Sequence, residues 1–207
     1  MNQTRPIVYI VDDDPLVGPT FTEFLSKLDV TVRTFDSGIE FLQAIHPAET
    51  ACVLLDMRMP DLDGLEVQQK LRDQGCVQPV VFVTAAEDVE SAVSAMRQGA
   101  LDYLLKPVGQ AELLTRVQVA LNEAQITVEE NQESAIVRSR FERLTPRERE
   151  VLGLMVEGKA NKVMSVDLGV SQRTVEIHRA RVMEKMEARS LADLFRLSLY
   201  LDLSAKD

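Results

Sequence analysis

Five short apolar runs, separated by longer helical patterns, set the tightest limit on what this chain can fold into. They lie at 7–11 (IVYIV), 30–35 (VTVRTF), 52–55 (CVLL), 79–83 (PVVFV) and 102–105 (DYLL). The first, third and fourth show no polar alternation, as expected of strands buried on both faces of a parallel sheet. Between the runs, apolar residues recur at helical spacing. Phe21, Phe24, Leu25 and Leu28 mark one helix, and Ile39, Phe41, Leu42 and Ile45 a second, opened by a capping box Ser37-x-x-Glu40. Leu65, Val67 and Leu71 mark a third, Val89, Val93 and Met96 a fourth, and Leu113, Leu114, Val117 and Leu121 a fifth. Five β–α units predict an α/β doubly wound domain of five parallel strands over residues 1–122.

The pattern then changes. Over 123–143 the apolar periodicity thins, with no Pro or Gly, which predicts a linker continuing the fifth helix. Over 144–207 the period is helical throughout. Thr145-Pro146-Arg147-Glu148 reads as a capping box with proline at the first helical position. It opens a helix bearing Val151, Leu152, Met155 and Val156, ended by Gly158. A short helix from Asn161 stops at Gly169, Ser171 caps the next to about residue 187, and Ser190 with Asp193 caps the last. Four helices in about 60 residues, with a short turn between the second and third, predict an all-α helix-turn-helix domain.

Charge divides the chain in the same place. The net charge is −10, but residues 1–122 hold 9 Lys/Arg against 18 Asp/Glu, while 144–207 hold 11 against 10. An acidic first domain and a near-neutral last one predict different partners and exclude a non-specific nucleic-acid binder. No apolar run approaches the ~18 residues that span a bilayer, and the first residues lack a signal-peptide layout. The expected location is cytoplasmic, without membrane association. Cys52 and Cys76 have no CxxC spacing and read as inert thiols of that compartment.

In doubly wound sheets, ligands bind beyond the carboxyl ends of the strands, and here those ends carry the acids. The first run ends in Asp12, Asp13 and Asp14, the third in Asp56, the fourth in Thr84, and the fifth is followed by Lys106-Pro107. If the first and third strands are neighbours, at least three carboxylates converge. Their repulsion and desolvation call for a cation, and oxygen ligands in that number suit Mg²⁺. A metal-held carboxylate beside an ammonium and a hydroxyl is equipped to accept a phosphoryl group. Asp14, before Pro15, reads as a helix-capping or solvated acid, and Asp61 and Asp63 as loop and turn residues leading to Gly64.

These elements resemble the receiver domain of two-component response regulators. The matching parts are the acidic cluster, D-x-x-M-P-x-x-D-G at 56–64, VTA at 83–85 and GALDYLLKP at 99–107. Residues 144–186, from LTPREREVLGLM to TVEIHRARVMEKM, resemble the LuxR-type helix-turn-helix of the FixJ/NarL family. The resemblance implies that Asp56 is the phospho-acceptor, with Asp13, Asp56 and the Arg58 main-chain oxygen as direct Mg²⁺ ligands and Asp12 acting largely through water. It implies that Lys106, through a cis peptide to Pro107, pairs with the phosphoryl group, and that Thr84 and Tyr103 form a switch pair. The implied partners are a sensor histidine kinase, double-stranded promoter DNA and RNA polymerase, with a homodimer on phosphorylation. No catalytic role is implied beyond slow loss of the phosphoryl group to water.

In the last domain, residues 171–189 carry five basic side chains against three acidic ones. The resemblance puts this helix in the major groove and so makes Arg173, Thr174, Glu176, His178, Arg179 and Arg181 the expected DNA contacts, with Lys162 on phosphate; His178 reads equally as a packed or phosphate-bonded residue, and Val175, Val182 and Met186 read as core. Glu176 stands where many relatives carry lysine, and either accepts from a cytosine amino group or pairs along the helix with Arg173 or Arg179. Two other functions compete with this reading. An aspartyl phosphatase of the haloacid-dehalogenase type needs an acid two residues after its nucleophile, where this chain has Arg58. A phosphorylation-independent DNA binder would carry a degenerate receiver, against the full set of acids with Thr84 and Lys106.

Overall fold

A computed structural model describes residues 5–47, 49–85 and 89–201, with the side chains of 89–91 outside that set. The side chain of Val89, one of the expected apolar positions of the fourth helix, therefore lies outside the described residues, as do the chain ends 1–4 and 202–207. The chain divides into two compact units, residues 1–129 and 130–207.

In the first unit the strands are β1 (Ile7–Val11), β2 (Thr31–Phe35), β3 (Ala51–Leu55), β4 (Val80–Ala85) and β5 (Asp102–Lys106). All pair in parallel, in the order β2-β1-β3-β4-β5. The three runs without polar alternation are thus the three central strands. Each side chain of β1 and β3 is buried, while β2 at the edge exposes Thr31, Arg33 and Thr34.

The helices are α1 (Val17–Leu25), α2 (Gly38–Ala44), α3 (Gly64–Asp73), α4 (Val89–Arg97) and α5 (Gln110–Glu142). Successive strand residues face opposite sides. Val8, Ile10, Cys52, Leu54, Val81 and Val83 accordingly pack with Phe21 and Leu25 of α1 and Leu113 and Val117 of α5. Tyr9, Val11, Val53, Leu55 and Phe82 pack on the other side with Phe41, Val67, Leu71 and Ala95 of α2, α3 and α4. Cys52 and Cys76 are buried free thiols, and burial pushes that of Cys52 up to about 12.

One expected device is only half formed. Ser37 Oγ accepts from Glu40 N at 3.2 Å, but the reciprocal contact from the Glu40 carboxylate is not formed among the described residues. Asp61 strengthens the cap instead, its Oδ2 accepting from Ser37 Oγ at 2.8 Å and Ile39 N at 2.9 Å. These bonds outweigh the upward pull of desolvation and hold its carboxyl at about 2. Asp63 plays a separate part, capping α3 in a full capping box with Glu66.

The second unit holds α6 (Pro146–Val156), α7 (Asn161–Asp167), α8 (Gln172–Met186) and α9 (Leu191–Leu199). The box at Thr145 and Glu148 is complete, and Ser171 and Ser190 accept from Thr174 N and Asp193 N. Gly169 has φ +65°, a conformation costly for a residue with a Cβ, at the turn between α7 and α8. Val151, Leu152, Met155, Met164, Val175, Val182, Met186, Leu194 and Leu197 form its core, joined by Val137 and Leu144. Among the described residues, no helix is long and apolar enough to cross a membrane.

Candidate functional site

The strand register builds the first unit's site. Val11 of β1 stands opposite Leu55 of β3, so the residues that follow, Asp12 and Asp56, leave the sheet side by side. Backbone bonds fix both: Asp56 N donates to Val11 O at 2.8 Å and Asp12 N to Phe35 O at 3.0 Å. On the other flank Ala85 pairs with Lys106, which brings the end of β5 to the same edge. The Lys106–Pro107 peptide is cis.

Lys106 Nζ lies 2.6 Å from Asp12 Oδ2 and 2.9 Å from Asp56 Oδ1. Both carboxylates are buried, each residue 7 % exposed. Burial holds the Asp12 carboxyl above its usual range despite the bond from Lys106. Burial lowers the Lys106 ammonium, but the bonds to Asp12 and Asp56 win and the net shift is upward. One ammonium thus serves two buried carboxylates, leaving local negative charge. Asp56 Oδ2 also accepts from Arg58 N at 2.6 Å, which ties the β3–α3 loop to the acid.

Asp12, Asp13, Asp14, Asp56, Arg58, Thr84, Ala85 and Lys106 line one open pocket. Thr84 is buried at the end of β4, whereas Asp13 is exposed. Asp14 bonds within its own turn, its Oδ1 accepting from Leu16 N at 2.9 Å just ahead of α1, which has no side-chain cap. Tyr103 is half-buried on β5, opposite Phe82, and packs against the core shared with α2, α3 and α4. Among the described residues, no three His, Cys, Asp or Glu side chains stand close enough together to hold a metal ion as they are placed. The anionic donors of the pocket are nonetheless all oxygen, from the four carboxylates of Asp12, Asp13, Asp14 and Asp56. That is the set a hard divalent cation takes.

Gly64, which opens α3, guards the same strand end. A Cβ there would stand 2.5 Å from Asp56 O and 2.7 Å from a Phe82 ring carbon. Neither neighbour yields cheaply, since one is backbone and the other a fully buried ring.

In the second unit, α8 follows α7 across the turn at Gly169. Its inner side is set by Val175, Val182 and Met186. Its outer side carries Arg173, Glu176, Ile177, Arg181 and, one turn on, Ala180 and Glu184. All six are exposed. Thr174 turns to the cap, its hydroxyl 2.9 Å from Ser171 Oγ. Arg179 has Nη1 4.0 Å from Met164 Sδ, and His178 is half-buried with Nδ1 lacking a hydrogen-bond partner. Glu176 lies 3.7 Å from Arg173, a loose and exposed pair. Lys162 is exposed at the start of α7. Ile177 and Ala180 are not among the residues expected from sequence, although the core positions Val175, Val182 and Met186 fix the helix phase that turns them outward.

Comparison with known proteins matches both units. The response regulator receiver domain family matches residues 8–118, and the bacterial regulatory proteins of the luxR family match residues 142–198. Nodulation protein W of Bradyrhizobium diazoefficiens is 39% identical over 98% of this chain and 89% of its own. The transcriptional regulatory protein FixJ of Azorhizobium caulinodans is 36% identical over 97% of this chain and 95% of its own. The solved structure of the response regulator StyR is 35% identical, with TM-score 0.83, covering 95% of this chain and 99% of that one.

Proposed function

The chain belongs to the response regulators that join a receiver domain to a LuxR-type DNA-binding domain; on that premise we propose that Asp56 accepts a phosphoryl group and thereby controls promoter binding by α8. The family is one of transcriptional regulators rather than of enzymes, and its architecture implies a kinase and DNA as partners. The observation that carries the proposal is the buried Asp12–Lys106–Asp56 bridge at the carboxyl edge of the sheet.

In the proposed reaction an Asp56 carboxylate oxygen attacks the phosphorus of a phosphohistidine on the kinase. The new O–P bond replaces the donor's N–P bond, and the imidazole leaves. Lys106 is already within bonding reach of the accepting carboxylate and would hold one phosphoryl oxygen, with Thr84 donating to another. Asp12, Asp13 and Asp56, with the Arg58 main-chain oxygen, would hold Mg²⁺, which when bound offsets the charge of the phosphoryl oxygens. Movement of Thr84 toward the phosphate would let Tyr103 turn further inward and remodel the face of α4 and β5. Dimerisation there would raise affinity for a two-part DNA site through effective concentration, and the bound dimer would act on RNA polymerase. Water would slowly hydrolyse the aspartyl phosphate at the same site. The cytoplasm, where such kinases present their phosphoryl groups, is the proposed location.

The test is labelling with an acyl-phosphate donor and Mg²⁺. Wild-type protein takes up the phosphoryl group and Asp56→Asn does not; label retained in Asp56→Asn overturns the site assignment.

A further inference from the structure

Within the reading that α8 enters the major groove, we infer that Glu176 and Ile177 read adjacent base pairs, Glu176 a cytosine and Ile177 a thymine methyl. The two residues are consecutive and both exposed, away from the core positions of α8, in its N-terminal half, where a recognition helix meets base edges. Ile177 is 43% exposed, on a face otherwise built from Arg173, Glu176, Arg181 and Glu184. Core packing does not account for it, since Val175, Val182 and Met186 supply the buried side of this helix. Ala180, one turn on from both residues, is small enough to let the helix backbone approach the bases.

The chemistry selects the bases. A carboxylate only accepts hydrogen bonds. In the major groove cytosine presents an amino donor, whereas guanine presents two acceptors and adenine sets an acceptor beside its donor. Phosphate also repels a carboxylate, so Glu176 gains nothing from the backbone. The competing partner on the same helix is Arg173, but at 3.7 Å, with side chains 83% and 51% exposed, that pair contributes little. Glu176 is therefore able to turn to a base while Arg173 and Arg181 meet phosphates. A branched aliphatic side chain beside it finds one apolar feature in the groove, the methyl group of thymine.

The experiment is selection of bound duplexes from a randomised pool by the full-length protein, phosphorylated with an acyl-phosphate donor, for wild type, Glu176→Gln and Ile177→Ala. Both positions are solvent-facing, and unchanged helical circular dichroism checks that each variant folds. The wild type enriches a motif with cytosine and thymine at neighbouring positions, each preferred by roughly ten- to a hundredfold. Glu176→Gln shifts the cytosine position alone to adenine, the base that a glutamine amide matches, and Ile177→Ala relaxes the thymine position alone. A motif that neither variant alters, or a uniform loss of affinity without a change of preferred base, overturns the inference while leaving α8 as the DNA-binding helix. A wild-type protein that enriches no duplex overturns both.

Discussion

Lys185 Nζ stands 2.6 Å from Glu148 Oε2, joining α8 to the capping box that opens α6. Glu148 is only 2 % exposed, and its Oε2 also accepts from Thr145 N at 2.8 Å. Desolvation pushes its carboxyl upward, but the bonds from Lys185 and Thr145 win and the net shift is downward. A carboxyl depressed in the folded state contributes stability above its ordinary value, and that contribution is lost as pH falls through the folded one. The second unit is therefore expected to weaken as pH falls below about 4.5, the ordinary glutamate value. Glu148→Gln keeps the cap acceptor but removes the charge, and should cost about 1.5–3 kcal/mol at pH 7. Hydrogen exchange of the α6 and α8 amides in the full chain measures this. A difference between wild type and variant that persists undiminished well below pH 4 would contradict the assignment.

Asp61 offers a second pH-dependent contact, in the other unit. Its bonds to Ser37 Oγ and Ile39 N secure the loop after β3 to the start of α2. Asp61→Ala should cost about 0.5–2 kcal/mol, as other N-cap losses do. Because the carboxyl is held at about 2, below its ordinary 3.8, the contribution is complete above the ordinary value and disappears across that interval as pH falls. Urea midpoints of the two proteins at pH 7 should differ, and at pH 2 the gap should narrow.

Two glycines should respond in opposite directions. Gly64→Ala drives a methyl against Asp56 O and the Phe82 ring, so a loss of about 1–3 kcal/mol is expected. The displaced Asp56 should also take up phosphoryl label more slowly than wild type. Gly153 lies within α6 with open space around its Cβ direction, so Gly153→Ala should stabilise by up to about 1 kcal/mol. Thermal unfolding of both variants checks the pair; a stable Gly64→Ala with normal labelling would refute the close approach.

The sequence carried some of these relationships and hid others, for identifiable reasons. Runs such as IVYIV and CVLL are legible because a strand covered on both faces has no polar alternation, and they proved to be central strands. Whether Asp12 and Asp56 meet was only conditional, because hydropathy does not encode strand order; the pairing of Val11 with Leu55 supplies it. The Thr145–Glu148 box is local and therefore readable, whereas Lys185, 37 residues away, is brought to it only by packing. Asp61 looked like loop chemistry because its partners belong to a helix some twenty residues earlier. On α8 the charged residues Arg173, Glu176 and Arg181 were legible as contacts, whereas the outward turn of Ile177 and Ala180 follows only from the phase that the buried Val175, Val182 and Met186 set.

The bridge at Lys106 should trade stability for function. Asp12 and Asp56 are buried together with a single ammonium between them, so one negative charge in the pair goes uncompensated. Burying an uncompensated charge costs free energy, and proteins accept such costs where a site must bind a charged ligand. Asp12→Asn removes that charge and keeps an acceptor for Asp14 N, which donates to Asp12 Oδ1 at 3.0 Å. Lys106 remains paired with Asp56 at 2.9 Å, so no ammonium is orphaned. The variant should therefore be more stable than wild type by about 0.5–2 kcal/mol in the absence of divalent cations. Millimolar Mg²⁺ should stabilise wild type by mass action and narrow the gap, while leaving Asp12→Asn less affected because a ligand charge is gone. The same variant should label poorly with an acyl-phosphate donor. Urea unfolding with and without Mg²⁺ separates the two effects; an Asp12→Asn protein less stable than wild type without the cation would show that the bridge stabilises the fold rather than preparing the site.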